Sequence, residues 1–299
     1  VGTYKGARIV SASPPASGGI ALIDALNILE PYDLESMDDV TRLHLIVEAM
    51  RRVHRDRAQY LGDPDFVQIP VEMLTSKFYA DGQRTSITLD HATPSTMLPS
   101  TAIAAHQGTH TTHYSILDKD GNRVGVTMTL NLWFGTGQVV PGTAVLLNNQ
   151  MDDFSIKPGT PNAYRLIGAE ANAIAPGKRP LSSSTPAFVE SDRGVMVVGS
   201  PGGSTIIGMS LLATLGFMEG KSAMDIVRAP RIHHQYFPDI IQYEKGALTP
   251  EQIAGLKEKG HALREGQHWG NMQVVIWDYA TGQVEAGSDP RGEGKGLVY

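Results

Sequence analysis

Two adjacent threonines, Thr111 and Thr112, join the glycine-bearing run Gly108-Thr109-His110 to the β-prone run His113-Tyr114-Ser115. A threonine where a loop enters a strand is a candidate for hydroxyl chemistry, and equally an ordinary strand residue, because β-branched side chains favour strands. A second cluster is Val197-Val198-Gly199-Ser200-Pro201-Gly202-Gly203-Ser204, which reads as strand, glycine turn and helix start. Its free N–H groups could face negative charge. A phosphate loop would need a Gly-Lys-Ser/Thr ending, which is absent, whereas an oxyanion hole needs only the amides. Two further polar clusters, Asn148-Asn149-Gln150-Met151-Asp152-Asp153 and Leu181-Ser182-Ser183-Ser184-Thr185-Pro186, suit turns and could also line one pocket. His233-His234 invites a metal reading, but neighbours on a strand point to opposite faces and no His-Glu-x-x-His helix exists. Neither Gly-x-Ser-x-Gly nor a Ser-His-Asp pattern is present, which disfavours ordinary triad hydrolysis.

The chain that must position these groups has 299 residues, 41% hydrophobic and 19% charged, enough apolar content for a sizeable core. A formal charge of −6 gives no electrostatic case for nucleic acid or anionic lipid. The nearly apolar run 205–218 is too short for a membrane span, and the absence of cysteine excludes disulfides and thiolate sites. The first residue is not Met and no targeting segment follows it, so the chain reads as a fragment or a processed product.

Residues 7–10 read as a strand and residues 20–29 as a buried apolar helix after the Pro-Pro-Ala-Ser-Gly-Gly loop. From Asp39 to Gly62 the spacing of Val40, Leu43, Ile46, Val47, Met50 and Val53 predicts an amphipathic helix, with Arg51, Arg52, Arg55, Asp56 and Arg57 on the other face. Residues 81–110 read as a long exposed loop. Residues 113–117 and 124–129 form a hairpin about Asp118-Lys119-Asp120-Gly121-Asn122. Short strands are predicted at 144–147, 187–190 and 195–198, with a second hairpin from 272–277 and 283–286. Helices follow at 205–218, at 223–227 and after the Thr249-Pro250-Glu251-Gln252 capping box, with Gly260 as the stop. Strands between helical blocks suggest a sheet core with helical outer layers.

Taken together, these blocks resemble the γ-glutamyltransferase (glutathione hydrolase) family of N-terminal-nucleophile hydrolases. The matching stretches are Pro14-Pro15-Ala16-Ser17-Gly18-Gly19-Ile20, Tyr60-Leu61-Gly62-Asp63-Pro64-Asp65-Phe66, Thr111-Thr112-His113-Tyr114-Ser115 and the run from Leu146 through Ser155. They continue through Lys178-Arg179-Pro180-Leu181-Ser182-Ser183, Gly199-Ser200-Pro201-Gly202-Gly203-Ser204, Ala229-Pro230-Arg231-Ile232-His233-His234-Gln235 and Ser288-Asp289-Pro290-Arg291, so the likeness runs end to end.

The resemblance implies an α+β fold, a four-layer αββα sandwich, in which residues 1–110 are the C-terminal part of a large subunit and 111–299 a whole small subunit, intertwined as one structural domain. It also implies that the earlier part of the large subunit, with the family's carboxylate-binding arginine, lies outside this chain. The precursor would cleave itself between His110 and Thr111 when the Thr111 hydroxyl attacks the His110 carbonyl. The new α-amine, with an ordinary pKa of roughly 7.7–8, would then act as base for the Thr111 hydroxyl. Thr129 matches a second threonine set against the nucleophile, and Gly202 and Gly203 match the oxyanion donors. Asn131, Gln150 and Asp153 match groups that hold the substrate α-ammonium, Ser182 and Ser183 donors to its α-carboxylate, and Tyr164 the lid loop over the acyl group.

The activity so implied is γ-glutamyl transfer or hydrolysis, with glutathione or another γ-glutamyl amide as donor and water, an amino acid or a dipeptide as acceptor. No cofactor or metal is required, and the family's location is periplasmic or extracellular. A glutaryl (cephalosporin) acylase of the same fold is the alternative that keeps the nucleophile; an unprocessed or non-catalytic binding homologue is the alternative from another class. Trp133 and Phe134 could shape acceptor choice or simply pack.

Overall fold

The computed structural model describes residues 1–98, 111–155, 157, 160 and 168–299. In chain order its elements are β1 (Gly2–Tyr4), β2 (Ala7–Ser11), α1 (Gly18–Leu29), α2 (Asp39–Tyr60), α3 (Val71–Leu74), α4 (Lys77–Arg84), β3 (Thr111–Leu117), β4 (Arg123–Thr129), β5 (Ala187–Ser191), β6 (Gly194–Gly199), α5 (Thr205–Met218), α6 (Ala223–Arg228), β7 (Ile232–His233), β8 (Ile241–Glu244), α7 (Pro250–Glu258), β9 (Leu263–Gly266), β10 (Gln273–Asp278) and β11 (Val284–Ser288). Six antiparallel strands make the main sheet in the order β1-β2-β5-β6-β10-β11. Because β2 pairs with β5, residues on either side of position 110 share one sheet.

The two faces of that sheet follow from strand alternation. Ala187, Val189, Met196, Val198, Val274 and Ile276 join the core beneath the helices. Phe188 and Val197 point the other way, where they meet the β3–β4 hairpin at Gly125. α1 is apolar apart from Asp24 and Asn27, which bond Gln83 and Thr75 O, and its twelve residues are all buried, as a central core helix should be. α5 is likewise buried from Thr205 to Phe217 apart from Leu212. α7 begins with the capping box that its sequence announces, Thr249 with Gln252 and a first-turn proline. The described residues thus form three layers: helices, the six-stranded sheet and the hairpin. A second helical layer over the hairpin is not built by them, and Tyr114 and Met128 on its outer face stand 42% and 58% exposed.

Three sequence expectations are corrected. α2 is not amphipathic: Arg51, Arg52, Asp56 and Arg57 are buried with the apolar stripe, because the helix is packed on several sides and each charge has polar partners there. Buried charges are tolerable only when so paired. The stretch from 81 is not all exposed loop. α4 runs to Arg84, and the strand-free segment beyond it is clamped by Thr93 N donating to Glu48, Ser95 N donating to Asp239 and Tyr236 Oη donating to Leu98 O. Residues 144–147 form no ladder. They contribute one isolated bridge, Val139 to Leu146, because positive φ at Gly142 and Ala144 turns the chain there. The three-stranded sheet β7-β8-β9 has no counterpart in the sequence reading.

Candidate active site

Thr111 and Thr129 are direct partners in the β3–β4 ladder, and both face the main sheet. The Thr111 hydroxyl donates to Thr129 Oγ1 at 3.1 Å, and Thr129 Oγ1 also accepts the Asn131 N–H at 2.8 Å. Asn131 sits at φ +73°, a left-handed conformation that asparagine tolerates better than most residues. Its side chain donates to Asn149 O at 3.1 Å, and Asn149 Oδ1 in turn accepts the Leu132 N–H, so the strand end is held to the Asn148–Asp153 turn.

Thr111, Thr129, Asn131, Asp153, Ser182, Ser183 and Gly203 line one cleft together with Ser184 and Ile206. The threonines come from the hairpin, Asp153 from the 3-10 turn Gln150–Asp153, the serines from the segment before β5, and Gly203 from the turn before α5. Gln150 belongs to the same 3-10 turn but is not among the lining groups; its N–H donates to Asn148 Oδ1. Gly202 lies one residue outside the lining. His110 and Tyr164 fall outside the described residues.

Gly202 and Gly203 adopt φ +145° and +56°, which a side chain would strain. Among the described residues neither amide has an acceptor, and both precede the first turn of α5, where the helix dipole favours negative charge. The turn is fixed from behind: Ser204 Oγ and His233 Nε2 both hydrogen-bond to Gln235 Oε1, at 2.7 and 3.0 Å. Thr205 Oγ1 donates back to Gly202 O at 2.9 Å.

The serine segment is held by the chain's beginning. Ser17 N and Oγ both donate to Ser182 O, and Ser182 N donates to Pro15 O. Arg57, missed by the sequence reading, lies 5% exposed beneath these residues. Its Nε donates to Ser17 Oγ at 2.9 Å and its Nη2 to Ser183 Oγ at 3.1 Å. The available signal was its spacing, seven residues after Met50 and four after Val53, on the apolar stripe of α2. The carboxyl of Asp153 is raised to about 7 by burial, against the lowering pull of Arg57 and with a smaller push from Asp152. Trp133 and Phe134 do not pack inward; each is 70% exposed.

His233 and His234 are not paired as ligands. His233 faces Gln235, while His234 Nε2 meets Asp239 Oδ1 at 3.1 Å and its Nδ1 accepts the Tyr236 N–H. A different trio, His44, Glu48 and His261, has donor atoms close enough for a cation. These atoms are already engaged. His44 Nε2 meets Thr88 O at 2.7 Å, which leaves Nδ1 to accept from His261 Nε2 at 2.8 Å, and Glu48 lies between the guanidinium groups of Arg51 and Arg52. A metal would have to break these bonds.

A helix-backed antiparallel sheet carrying a threonine-led hairpin on its other face, with the glycine turn and polar cleft at one end, is the α+β fold of the N-terminal-nucleophile hydrolases. The profile described as Gamma-glutamyltranspeptidase matches residues 1–299. A glutathione hydrolase proenzyme of Escherichia coli (strain K12) is 42% identical over 294 residues, covering 97% of this chain and 50% of the relative. A solved chain of gamma-glutamyltranspeptidase from Pseudomonas nitroreducens complexed with L-DON is 44% identical, with TM-score 0.59, covering 63% of this chain and 99% of that one. The crystal structure of cephalosporin acylase from Bacillus halodurans matches with TM-score 0.82 at 25% identity, over 99% of this chain and 52% of that one. This chain belongs to the gamma-glutamyltranspeptidase family. It spans about half the length of the curated relatives it matches.

Proposed function

We propose that this chain carries the catalytic centre of a γ-glutamyltransferase/glutathione hydrolase, formed when a precursor cleaves itself between His110 and Thr111. The observation that carries the reading is the single cleft on which the Thr111–Thr129 pair, Asp153, Ser182, Ser183 and Gly203 converge. A second support is length: the solved Pseudomonas nitroreducens chain is matched by 63% of this one, the share made up by residues 111–299, which are 189 of 299. Residues 1–110 would then be the end of a large subunit and 111–299 the small one.

In the precursor, the Thr111 hydroxyl adds to the His110 carbonyl, the Thr111 nitrogen leaves as an amine, and water hydrolyses the resulting ester. The mature Thr111 then holds a hydroxyl and an α-amine. With a γ-glutamyl amide bound, the amine takes the hydroxyl proton as Oγ1 attacks the γ-carbonyl carbon. The amides of Gly202 and Gly203 receive the oxyanion, a contribution of about 3–4 kcal/mol per donor in such sites. Collapse expels the leaving amine, which takes the proton back from the α-ammonium of Thr111, and leaves a γ-glutamyl-Thr111 ester. Water or the amine of an amino acid or dipeptide then attacks that ester along the reverse route. Thr129 fixes the Thr111 oxygen, Asp153 with Asn131 and Gln150 holds the substrate α-ammonium, Ser182 and Ser183 donate to its α-carboxylate, and Tyr164 belongs to the covering loop. Glutathione is the proposed donor and no cofactor enters. The location proposed, periplasmic or extracellular, rests on family likeness alone. Among the described residues no helix is long and apolar enough to cross a membrane.

Intact mass and turnover of a γ-glutamyl anilide test this together. Cleavage between His110 and Thr111 with an ester-linked adduct on Thr111 is expected; a Thr111→Ala protein that still cleaves and still turns over would sink the assignment. The whole-chain likeness to cephalosporin acylase favours a second reading, a glutaryl acylase. Glutaryl lacks the α-ammonium that Asp153 would hold, and a marked preference for glutaryl over γ-glutamyl anilide would select it.

A further inference from the structure

The buried guanidinium of Arg57 is used by none of the steps above. It lies in α2, within residues 1–110, yet it reaches Ser183 in the segment that leads to β5. Ser17 is 0% and Ser183 9% exposed, so the bridge Ser17–Arg57–Ser183 is closed to solvent.

Hydrogen-bond polarity gives this bridge a consequence. Arginine only donates. Ser183 Oγ therefore accepts from Arg57 Nη2, and its single proton is left to point elsewhere, into the cleft that Ser183 lines. A serine fixed in that sense offers an O–H donor to an anion. Ser17 completes the pattern: its Oγ accepts from Arg57 Nε and donates to Ser182 O, so one guanidinium braces both neighbouring serines. Burial lowers the Arg57 pKa only to about 10, so the positive charge persists at neutral pH.

We infer that Arg57 is a positioning residue for the carboxylate end of the donor: it turns the Ser183 hydroxyl into an obligate donor and keeps a positive charge behind it. The inference rests on the γ-glutamyl reading above. It adds that recognition of the donor carboxylate depends on a residue that itself stays below the cleft floor, contributed by the part of the chain before Thr111.

The test uses the intact protein and two anilides that differ only in the carboxylate: γ-glutamyl anilide and 4-aminobutyryl anilide, which keeps the amine. For Arg57→Gln, KM for γ-glutamyl anilide should rise about tenfold or more with kcat changed less than threefold. Measured on the plateau above the Asp153 limb, where the carboxylate is charged in both proteins, kcat/KM for 4-aminobutyryl anilide should stay within twofold. Arg57→Lys, which keeps the charge but cannot bridge Ser17 and Ser183 through a planar fork, should recover part of the KM loss. Ser183→Ala combined with Arg57→Gln should cost less than the product of the single effects. A pH profile adds a readout that packing alone would not move. Among the described residues the charged groups acting on Asp153 are Arg57 from α2 and Asp152 beside it, so loss of Arg57 should shift its ionisation limb upward.

Equal losses on both anilides, or independent effects at 57 and 183, would overturn the inference while leaving the activity standing. An unmodified protein that fails to turn over γ-glutamyl anilide would instead sink the functional reading. If Arg57→Gln does not fold, Ser17→Ala, which removes the Nε acceptor and the Oγ bond to Ser182 O but keeps the Ser17 N–H bond to that carbonyl, should reproduce the same KM-selective loss; a Ser17→Ala protein with unchanged KM overturns the inference equally.

Discussion

The imidazole of His113 fills the space that a side chain at Gly199 would occupy: a Cβ built on Gly199 would overlap the ring itself. His113 lies two residues beyond Thr111 on the same face of β3, and Gly199 ends β6 three residues before Gly202. The ring is held by Thr127 Oγ1 at 2.8 Å and Ser115 Oγ at 3.0 Å, and burial lowers its pKa to about 4, so the imidazole is uncharged at neutral pH. One contact thus sets the spacing between the threonine strand and the glycine turn.

Gly199→Ala should therefore act on the site more than on the fold. Overpacking of this kind costs about 1–3 kcal/mol, and here the strand carrying Thr111 must give way. We expect a moderate loss of thermal stability with a drop in kcat of at least tenfold. Urea titration and anilide kinetics measure the two. A variant with full kcat would show that the hairpin can slide without consequence.

Thr129→Ala removes the acceptor of two donors at once, the Thr111 hydroxyl and the Asn131 N–H. Losing a buried hydrogen bond of this sort costs about 1–3 kcal/mol, which corresponds to roughly 5–150-fold in rate if it is felt at the transition state. kcat should fall within that range, and KM should rise as Asn131 loses the bond that holds its left-handed backbone. Thr129→Ser should retain most of the rate. Steady-state kinetics of the three proteins decide it, and a Thr129→Ala enzyme as fast as the parent would remove Thr129 from the mechanism.

Much of this scaffold was legible in the residues. The β3–β4 hairpin followed from its Asp-Gly turn and alternation, α7 from its capping box, α1 and α5 from nearly apolar runs. The register that sets Thr111 opposite Thr129 comes from the structure, where Leu117 pairs with Arg123; in the sequence Thr129 stands out only through the family resemblance. α2 misled because Arg51 and Arg52 are water-facing by residue type alone, whereas tertiary packing supplies Ser95 to one and Gln83 O and Ser86 to the other, and Arg57, on the apolar stripe itself, finds Ser17 and Ser183. β7 is two residues long and β8 and β9 four each, and β9 pairs in parallel with β8 across the intervening α7, so no hairpin turn announces this sheet.

Asp153 gives the site a pH signature. Its folded pKa of about 7 lies above the ordinary carboxylate range because burial outweighs Arg57. Below that value the residue is protonated and cannot pair with an α-ammonium, so kcat/KM for a γ-glutamyl anilide should climb with pH through about 7. In the proposed mature protein the α-amine of Thr111 would add a second limb, at roughly 7.7–8 for an ordinary α-amine. The two separate with glutaryl anilide, which has no ammonium: it should keep the amine limb and lack the other. Asp153→Asn should raise KM for the γ-glutamyl donor by about tenfold or more and leave glutaryl turnover nearly unchanged. Identical pH profiles for both anilides would exclude Asp153 as the ammonium's partner.

A buried acid pair, Asp24 of α1 and Asp56 of α2, neither of which lines the cleft, sets a stability term of definite sign. Asp24 of α1 and Asp56 of α2 share Gln83 Nε2, which donates to Asp24 Oδ2 at 3.0 Å and Asp56 Oδ2 at 3.2 Å, and Tyr79 Oη donates to Asp56 at 3.1 Å. Burial and then the Asp56 charge raise the Asp24 carboxyl well above its usual range, and burial raises Asp56 to about 6 despite Arg55. Between about pH 4 and these raised values the folded chain binds more protons than the unfolded one. The pair's stabilising contribution is therefore full below pH 4 and lost as pH rises through about 6 and beyond. Asp24→Asn presents a permanent N–H donor to Asp56 and keeps an oxygen for Gln83. It should raise the melting temperature by a few degrees at pH 7.5 and leave it unchanged near pH 4. Thermal melts of the parent and variant across pH 4–8 give the difference directly; a variant destabilised equally at both ends would mean that Asp24 is held as a charged acceptor.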